Sequence, residues 1–290
     1  MDAGLDVFQT VRPRLFGIAY RMLGSASEAE DLVQDAWLRW QGTNRDAVRE
    51  PAAFLATIVT RLALTALDSA RARREVYIGP WLPEPVLTAD DPALGAERAE
   101  ALSLAVLTLL EKLAPAERAA FVLHEAFDYP FRQVAEVLEI SEANARQLAS
   151  RARAHLDRER AAPVDPAEQQ RLLAAFIEAA QNGDLEALEA VLAEDVVALS
   201  DGGGVVLAAR RPVAGRQRVA QFLLGVLEKF AADVDSLPAQ VNGEPGFVGV
   251  RDGEPIAVWT VEIGAGGIRR FLNVMNPAKL SRIPLPSGPS

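Results

Sequence analysis

Apolar residues recur at three- and four-residue spacing through the first quarter of the chain, a pattern that predicts helices. The first predicted helix ends at Gly24, and its apolar face is formed by Phe8, Val11, Leu15, Ile18 and Met22. Ser27 and Glu30 have the spacing of a capping box, which predicts the start of a second helix. A third helix is predicted to run from Pro51 towards Arg74. The first 75 residues therefore predict an all-α domain.

A second helical block is predicted from about residue 97 to residue 156. Between the two blocks, residues 76–98 form a linker that carries Trp81 and several prolines. Because prolines fix φ and an exposed indole is unfavourable in water, this linker is predicted to be stiff and to dock against another surface.

The last third of the chain has a different pattern. Two short helices are predicted near 167–181 and 184–193, and another near 216–231. The strand-like segments are VVALS, GVVLAA, GFVGVR, PIAVWTVEI and IRRFLNVM, with glycine-rich turns such as DGGG and GAGG between them. The predicted fold class is therefore multi-domain: two all-α domains followed by a C-terminal α+β domain.

Residues 131–156 have the pattern of a helix-turn-helix. Ser141 is the expected N-cap of the second helix, whose buried stripe is Ala145, Leu148, Ala149, Ala152 and Leu156. The outward positions are Asn144, Arg146, Gln147, Ser150, Arg151 and Arg153. Reading a DNA major groove requires hydrogen-bonding side chains of this kind, together with arginines for the phosphates. The alternative interpretation is a helical hairpin with a solvated basic face.

Composition limits the function classes. The net charge is −10, yet residues 146–160 hold five arginines and two acids, so a basic cluster lies on an acidic chain. There is no cysteine, and no apolar run reaches the roughly 20 residues that span a bilayer. The N-terminus lacks a signal-peptide pattern. We therefore expect a cytoplasmic protein without a membrane segment.

The C-terminal third offers little acid–base chemistry. Residues 161–290 contain no histidine. Asp195, Asp201 and Glu262 are candidate carboxylates, but no pair of acids has a catalytic spacing. His124 and His155 are interpreted as structural and surface residues. We expect no enzyme activity, no cofactor and no metal site. Phe247, Trp259 and Phe271 can either line a ligand pocket or belong to the core.

Two segments resemble those of a known family. LFGIAYRMLGSASEAEDLVQDAWLRW (15–40) resembles region 2 of bacterial extracytoplasmic-function (ECF) sigma factors, of the sigma-70 family, and DYPFRQVAEVLEISEANARQLASRARAHL (128–156) resembles their region 4. The last third is similar to a SnoaL-like domain, a cone-shaped α+β fold. The resemblance implies region 2 in residues 1–75, a linker in 76–98, region 4 in 99–160 and a regulatory domain in 161–290.

The resemblance also implies roles for residues and partners. The helix by which the family binds polymerase matches residues Asp31, Gln34, Asp35, Trp37 and Leu38 of this sequence. The expected partners are promoter DNA and core RNA polymerase, which is bound through its β′ clamp and β flap. We expect Arg61, Arg71, Arg73 and Arg74 to contact the downstream promoter box. We expect the outward residues of the helix-turn-helix to contact the upstream box. The alternative is a helix-turn-helix regulator whose C-terminal domain senses a ligand or acts as a cyclase-like enzyme.

The linker motif WLPEP (81–85) resembles the linker motif of the sigma subgroup that carries a SnoaL-like domain. Two motifs in the last third, DGGG (201–204) and NPAKL (276–280), also resemble motifs of that subgroup. We expect the linker to dock on the chain's own C-terminal domain as a built-in regulator. The residues of these three motifs are Trp81, Leu82, Pro83, Glu84 and Pro85; Asp201, Gly202, Gly203 and Gly204; and Asn276, Pro277, Lys279 and Leu280.

Overall fold

The computed structural model describes residues 3–88, 102–162, 164–230 and 233–285. The chain forms two compact units. The all-α unit comprises Met1–Val76 and Asp90–Glu159, and the α+β unit comprises Tyr77–Ala89 and Arg160–Ser290. The linker is therefore split between them, and we call its described part in the α+β unit, residues 77–88, the arm. Of the predicted linker, residues 89–98 lie outside the described residues.

The all-α unit begins with three helices: α1 (Ala3–Leu23), α2 (Ala26–Gln41) and α3 (Pro51–Glu75). Gly24 has φ +65° and donates its N–H to the Tyr20 carbonyl at 2.7 Å, so the predicted end of α1 is confirmed. Both α2 and α3 pack against α1. Among the described residues, α3 is long and apolar enough to cross a membrane by length and composition alone, as core helices of other proteins also are.

The predicted start of α2 is wrong by two residues. Ser25, rather than Ser27, is the N-cap, and its Oγ accepts the Glu28 N–H at 3.2 Å. Ser25 is buried, and the cap gives its hydroxyl a partner there. Glu30 forms an ion pair with Arg12 at 2.5 Å instead of closing a capping box.

Four α-helices lie in the described residues 102–159 of the all-α unit. They are α4 (Leu104–Leu110), α5 (Pro115–Phe121), α6 (Phe131–Leu138) and α7 (Glu142–Glu159), with a π-helical turn, Val122–Ala126, after α5. Glu139 ends α6 in the left-handed conformation, and Ser141 Oγ accepts the Asn144 N–H at 3.2 Å. The predicted helix-turn-helix and all five residues of its buried stripe are confirmed.

The α+β unit is built on one six-stranded sheet with the order β2-β1-β6-β5-β4-β3. Its strands are β1 (Leu192–Asp201), β2 (Val213–Ala214), β3 (Asp235–Val241), β4 (Glu244–Arg251), β5 (Glu254–Gly264) and β6 (Gly267–Val274). Its helices are α8 (Pro166–Asn182), α9 (Leu185–Val191), α10 (Arg216–Phe230) and the short α11 (Pro277–Leu280). β1 and β6 are parallel, and the other neighbours are antiparallel.

One face of this sheet buries a core with the helices. Phe176 of α8 and Leu223 of α10 belong to the same buried cluster as Val261 and Phe271 of the sheet. The expected α+β domain is thus confirmed, with strand alternation placing apolar residues on the helix-covered face.

One strand prediction was wrong, and two strands were missed. GVVLAA (204–209) is not a strand, because the Val205 and Val206 N–H groups both bond to the Gly202 carbonyl and close a turn. β2 and β3 were not predicted, and the sequence of β3, DSLPAQV, contains Pro238. As an edge strand, β3 tolerates a proline that cannot donate to a neighbouring strand.

Candidate functional site

One exposed face of α2 carries most of the predicted polymerase-binding residues. Asp31, Gln34, Asp35 and Leu38 are exposed, and the Leu38 side chain is 57% exposed although it is fully apolar. Trp37 is half-buried, with its ring 4.9 Å from that of Phe8. An exposed leucine beside two carboxylates is suited to a protein partner that offers an apolar pocket and positive charge.

The arginines predicted to follow the downstream promoter box lie on α3, and three of them have partners inside the all-α unit. Arg61 donates to the carbonyls of Glu136 and Val137 on α6, both at 3.1 Å, and forms an ion pair with Glu139 at 3.0 Å. Arg73 pairs with Glu28. Arg71 lies in α3, and its side chain is outside the described residues.

Arg74 is the least exposed of the three. It donates to the Leu23 carbonyl at 2.5 Å and pairs with Glu111, which also pairs with the buried Arg118 at 2.7 Å. Burial, followed by repulsion from Arg118, lowers the pKa of Arg74 to about 10, and burial lowers the pKa of Arg118 to about 9. Both guanidinium groups remain charged at neutral pH, and Glu111 joins α3 to the second half of the unit.

The outward residues of α7 form the predicted recognition surface. Arg146, Gln147, Ser150, Arg151 and Arg153 are exposed, and Asn144 is half-buried. The small residues of the buried stripe let α7 pack closely on α5 and α6, which directs the polar positions outward. Side chains at the start of such a helix are placed to contact base edges.

Acidic residues of the same unit pair with the arginines of α7. Arg146 pairs with Glu142 and lies over the Phe131 ring at 4.9 Å. Arg151 pairs with Glu117 at 3.6 Å, and Arg153 pairs with Glu125. These arginine side chains are 55–59% exposed, so each ion pair is weak and can be exchanged for a phosphate.

The arm lies against the rest of the α+β unit at a buried aspartate. Asp201, at the end of β1, is 0% exposed, and its carboxylate accepts four hydrogen bonds. Its Oδ1 accepts from the Tyr77 hydroxyl at 2.5 Å and the Gly203 N–H at 3.1 Å. Its Oδ2 accepts from the Leu82 N–H at 2.8 Å and from Lys279 Nζ at 2.7 Å. A buried carboxylate needs this degree of compensation.

Lys279 completes the site from α11. Its ammonium also donates to the Leu82 carbonyl and lies 4.1 Å from the centre of the Trp81 ring. Asn276 caps α11 and donates to the Tyr77 hydroxyl at 2.7 Å. Burial, followed by the hydrogen bond to Asp201, raises the pKa of Tyr77. The structure therefore brings together residues from all three predicted regulatory motifs.

The other predicted regulatory residues lie around this carboxylate. Gly203 has φ +60°, and a Cβ there would lie 2.4 Å from Asn276 Nδ2. Leu82, Pro83, Pro85 and Leu280 are buried, as is Gly202. Glu84 is half-buried, while Gly204 and Pro277 are exposed.

The end of the arm continues along the sheet edge. The Thr88 N–H donates to the Gln240 carbonyl of β3, and the Asn242 N–H donates to the Val86 carbonyl, both at 2.9 Å. Leu87 forms an antiparallel bridge with Val241. The arm is thus held at two ends, by Asp201 and by β3.

Several of these residues were missed by the sequence analysis. Tyr77 lies four residues before Trp81, and Asn242-Gly243 is the turn dipeptide of a hairpin that was not predicted. Glu111 and Arg118 lacked a sequence signal, because their pairing joins helices that are distant in sequence. The two buried ionic sites therefore depend on tertiary structure.

No catalytic arrangement occurs among the described residues of the α+β unit. Asp195 is exposed and pairs with Arg269, which lowers the pKa of the carboxyl. Glu262 accepts a hydrogen bond from the Ala161 N–H and pairs with Arg270 at 2.8 Å. Phe247, Trp259 and Phe271 stack together, with Phe271 in the core. No group of metal-ligating residues is found in the described ranges. The His124 ring packs against that of Phe131, with centroids 3.8 Å apart, which agrees with its structural interpretation.

Comparison with known families and proteins gives the class of protein. The family model for sigma-70 region 2 matches residues 7–73, and that for sigma-70 region 4 matches residues 103–156. The chain belongs to the extracytoplasmic-function sigma factors, the alternative sigma subunits of bacterial RNA polymerase.

Particular relatives cover nearly the whole chain. The ECF RNA polymerase sigma factor SigJ of Mycobacterium tuberculosis is 39% identical over 96% of this chain and 93% of its own length. A probable ECF RNA polymerase sigma factor of the same species, SigI, is 34% identical over 93% of this chain and 92% of its own. The crystal structure of SigJ matches with a TM-score of 0.78 at 36% identity, over 96% of this chain and 98% of that one.

Proposed function

We propose that this sigma factor binds core RNA polymerase, reads a promoter with α3 and α7, and is regulated by the docking of its arm on Asp201. In this proposal the exposed face of α2 contacts the β′ clamp, and the second half of the all-α unit contacts the β flap. The exposed Leu38 and the two carboxylates beside it support the first contact, because they have a protein-binding character and lie on one face.

The predicted DNA contacts are proposed to form only after polymerase binding. Arg61, Arg151 and Arg153 are each paired with acidic residues of the all-α unit. Because the net charge is −10, we expect the isolated chain to have a low affinity for phosphates, although each of these ion pairs is itself weak. Core polymerase would supply the cationic surface and shift these arginines towards DNA.

The observation that carries the regulatory part of the proposal is the buried Asp201 carboxylate, which holds an arm from a distant part of the sequence. Because the arm follows α3 in the chain and precedes α4, its attachment restricts the path between the two DNA-binding blocks. Tethering makes the contact intramolecular, with an effective concentration on the order of mM, so that docking does not require a very strong contact. Release or docking of the arm would then change promoter access.

Run-off transcription with purified core polymerase tests the regulatory role. Asp201→Asn keeps the shape of the side chain but removes its charge, and Trp81→Ala removes the ring beside Lys279. We expect each variant to change transcript yield by about fivefold or more, which corresponds to a coupling of about 1 kcal/mol. Asp195→Asn is the matched control, because that carboxylate is exposed on the same strand. If both arm-site variants match wild type, the arm does not regulate.

A second experiment tests the assignment of partners. Co-purification with core polymerase, followed by transcript mapping, is expected to show initiation only when both components are present. Tight binding of the isolated chain to duplex DNA, without polymerase, would instead identify a helix-turn-helix regulator. We further propose that the chain acts in the cytoplasm, where polymerase and promoter are found, and that the α+β unit does not catalyse a reaction.

A further inference from the structure

A cleft of about 240 Å³ lies between the arm and the loop that follows Asp201. Ile78 and Gly79 line it from the arm, and residues of the 202–210 segment line it from the loop. Three side chains in this lining are large, apolar and exposed: Ile78 is 53% exposed, Val205 75% and Leu207 73%. An exposed apolar cluster around a concave surface is typical of a binding site.

The loop has a defined shape. The Val205 and Val206 N–H groups both bond to the Gly202 carbonyl, at 3.0 and 3.2 Å. Gly204 has φ +73°, and a Cβ there would lie 2.9 Å from the Ile78 side chain, so the loop packs directly on the arm. The valine and leucine are therefore presented by a hydrogen-bonded turn, which lowers the entropic cost of binding a partner.

The surroundings of the cleft are positively charged. Residues 202–227 contain four arginines and no acidic residue, on a chain with a net charge of −10. Arg210 lines the cleft, and Arg210, Arg211 and Arg218 are exposed. Within the described part of the chain, no hydrogen bond or ion pair reaches these three guanidinium groups. They are thus available to an anionic partner.

We propose that this cleft is a docking site for an acidic peptide segment of a partner protein, anchored by one apolar side chain. Its volume is below the roughly 300–1,000 Å³ of sites for drug-sized molecules, and it suits a single side chain. Exposed apolar residues favour a peptide over nucleic acid, whose backbone needs only the arginines. Because the arm forms one wall, an occupant would contact the arm and the loop together. The proposal does not depend on sigma activity.

Panning the full-length chain against a phage-displayed library of random peptides tests this site. We expect the enriched peptides to be acidic with an apolar residue, and synthetic copies to bind more weakly as salt increases. Leu207→Ser and the double variant Arg210→Glu/Arg211→Glu should each weaken binding by about tenfold or more. Arg282→Glu is the control, because Arg282 is an exposed arginine of the same unit outside the cleft.

The outcomes separate the possible partners. Since all the substituted residues are exposed, the variants should keep the wild-type melting temperature, which is measured in parallel. Enriched peptides that are neutral or basic, or whose binding survives both cleft variants, would overturn the proposal. The proposal would also be overturned if a duplex DNA fragment bound the wild type and Leu207→Ser but not the arginine variant. That result would indicate a nucleic-acid surface.

Discussion

Each unit buries ionic side chains, and one from each, Arg118 and Asp201, can be compared because the two have opposite charge and different partners. In the all-α unit the group is the cation Arg118, which donates to the carbonyls of Leu110 and Met22 at 2.7 and 2.6 Å and pairs with Glu111. In the α+β unit it is the anion Asp201, which is held by one ammonium, one hydroxyl and two backbone N–H groups.

The difference lies in what each charge holds. Arg118 and Glu111 join helices that also pack through extensive apolar surfaces, such as those of Met22 and Leu110. Asp201 holds the arm, which has little secondary structure of its own and combines polar contacts at both ends with the buried side chains of Leu82, Pro83 and Pro85. We therefore expect the helices to stay packed when the buried charge of the all-α unit is removed, and the arm to be released when Asp201 is removed, because that leaves Lys279 as an uncompensated buried charge.

The largest effect is expected from Asp201→Ala. It leaves the Lys279 ammonium buried without its carboxylate and removes an acceptor from Leu82 and Tyr77, so the unfolding free energy of the α+β unit should fall by about 3–5 kcal/mol. Denaturant unfolding measures this loss, and hydrogen exchange of the Leu82 amide reports release of the arm. Asp195→Asn should cost less than about 1 kcal/mol, because its ion pair is exposed. Unchanged protection of the Leu82 amide would contradict the role given to Asp201.

Glu111→Gln should have the next largest effect. Arg118 and Arg74 lose their shared carboxylate, but Arg118 keeps two carbonyl acceptors, so we expect a loss of about 2–3 kcal/mol from the all-α unit. Glu117→Gln is the control, because its ion pair with Arg151 is more exposed. If Glu111→Gln lowered the unfolding free energy more than Asp201→Ala does, the buried ionic group of the all-α unit would contribute more to stability than the one that holds the arm, contrary to our expectation.

Sequence periodicity predicted the elements well where one face of a helix is buried. Ala145, Leu148 and Ala149 were assigned to the core of α7 from spacing alone, and all three are buried. The failures lie where another interaction outweighed the pattern. The apolar GVVLAA run has strand composition, but Gly202 accepts two backbone N–H groups and turns the chain there.

The candidate site was predictable only in part. Trp81 and the prolines around it indicated that the linker docks, but no periodicity identifies the acceptor of a distant N–H group. The roles of Asp201 and Lys279 came from resemblance, and Tyr77 was missed although it contributes a hydrogen bond to the same carboxylate. Burial of charge depends on which residues meet in three dimensions, and local sequence does not encode that information.

Glu244 differs from Asp201, because, as far as the structure describes the chain, this acid of the α+β unit lacks the hydrogen bonds and the ammonium partner that Asp201 has. Burial, followed by repulsion from Glu262, raises its pKa from 4.5 to about 7, and the charge of Arg160 opposes this shift. A raised carboxyl pKa means that the folded state binds the proton more tightly, so the contribution of Glu244 to stability is greatest below about pH 4.5 and is lost as the pH rises to about 7.

Glu244→Gln should therefore stabilise the α+β unit at about pH 8 by about 1–2 kcal/mol, with a smaller gain at about pH 5. Unfolding free energies of wild type and variant across this range measure the difference. Glu254→Gln is the control, since Glu254 is exposed at the start of β5. An equal gain at both pH values would show that charge at Glu244 is not the cause.

The smallest effect on stability is expected from Arg61→Ala. The Arg61 side chain is 46% exposed, and its partner Glu139 is 74% exposed, so solvent screens the pair and the loss should be below about 1 kcal/mol. This exposure distinguishes Arg61 from Arg118: Arg61 can exchange the α6 carbonyls for a phosphate, whereas Arg118 cannot leave its site.

In the holoenzyme, Arg61→Ala should thus lower the slope of log affinity against log salt for promoter DNA by about 1. Arg132→Ala is the control, because Arg132 is more exposed and lies on α6. A stability loss as large as that of Glu111→Gln, with no change in the salt slope, would place Arg61 with the structural arginines and remove it from the DNA-binding set.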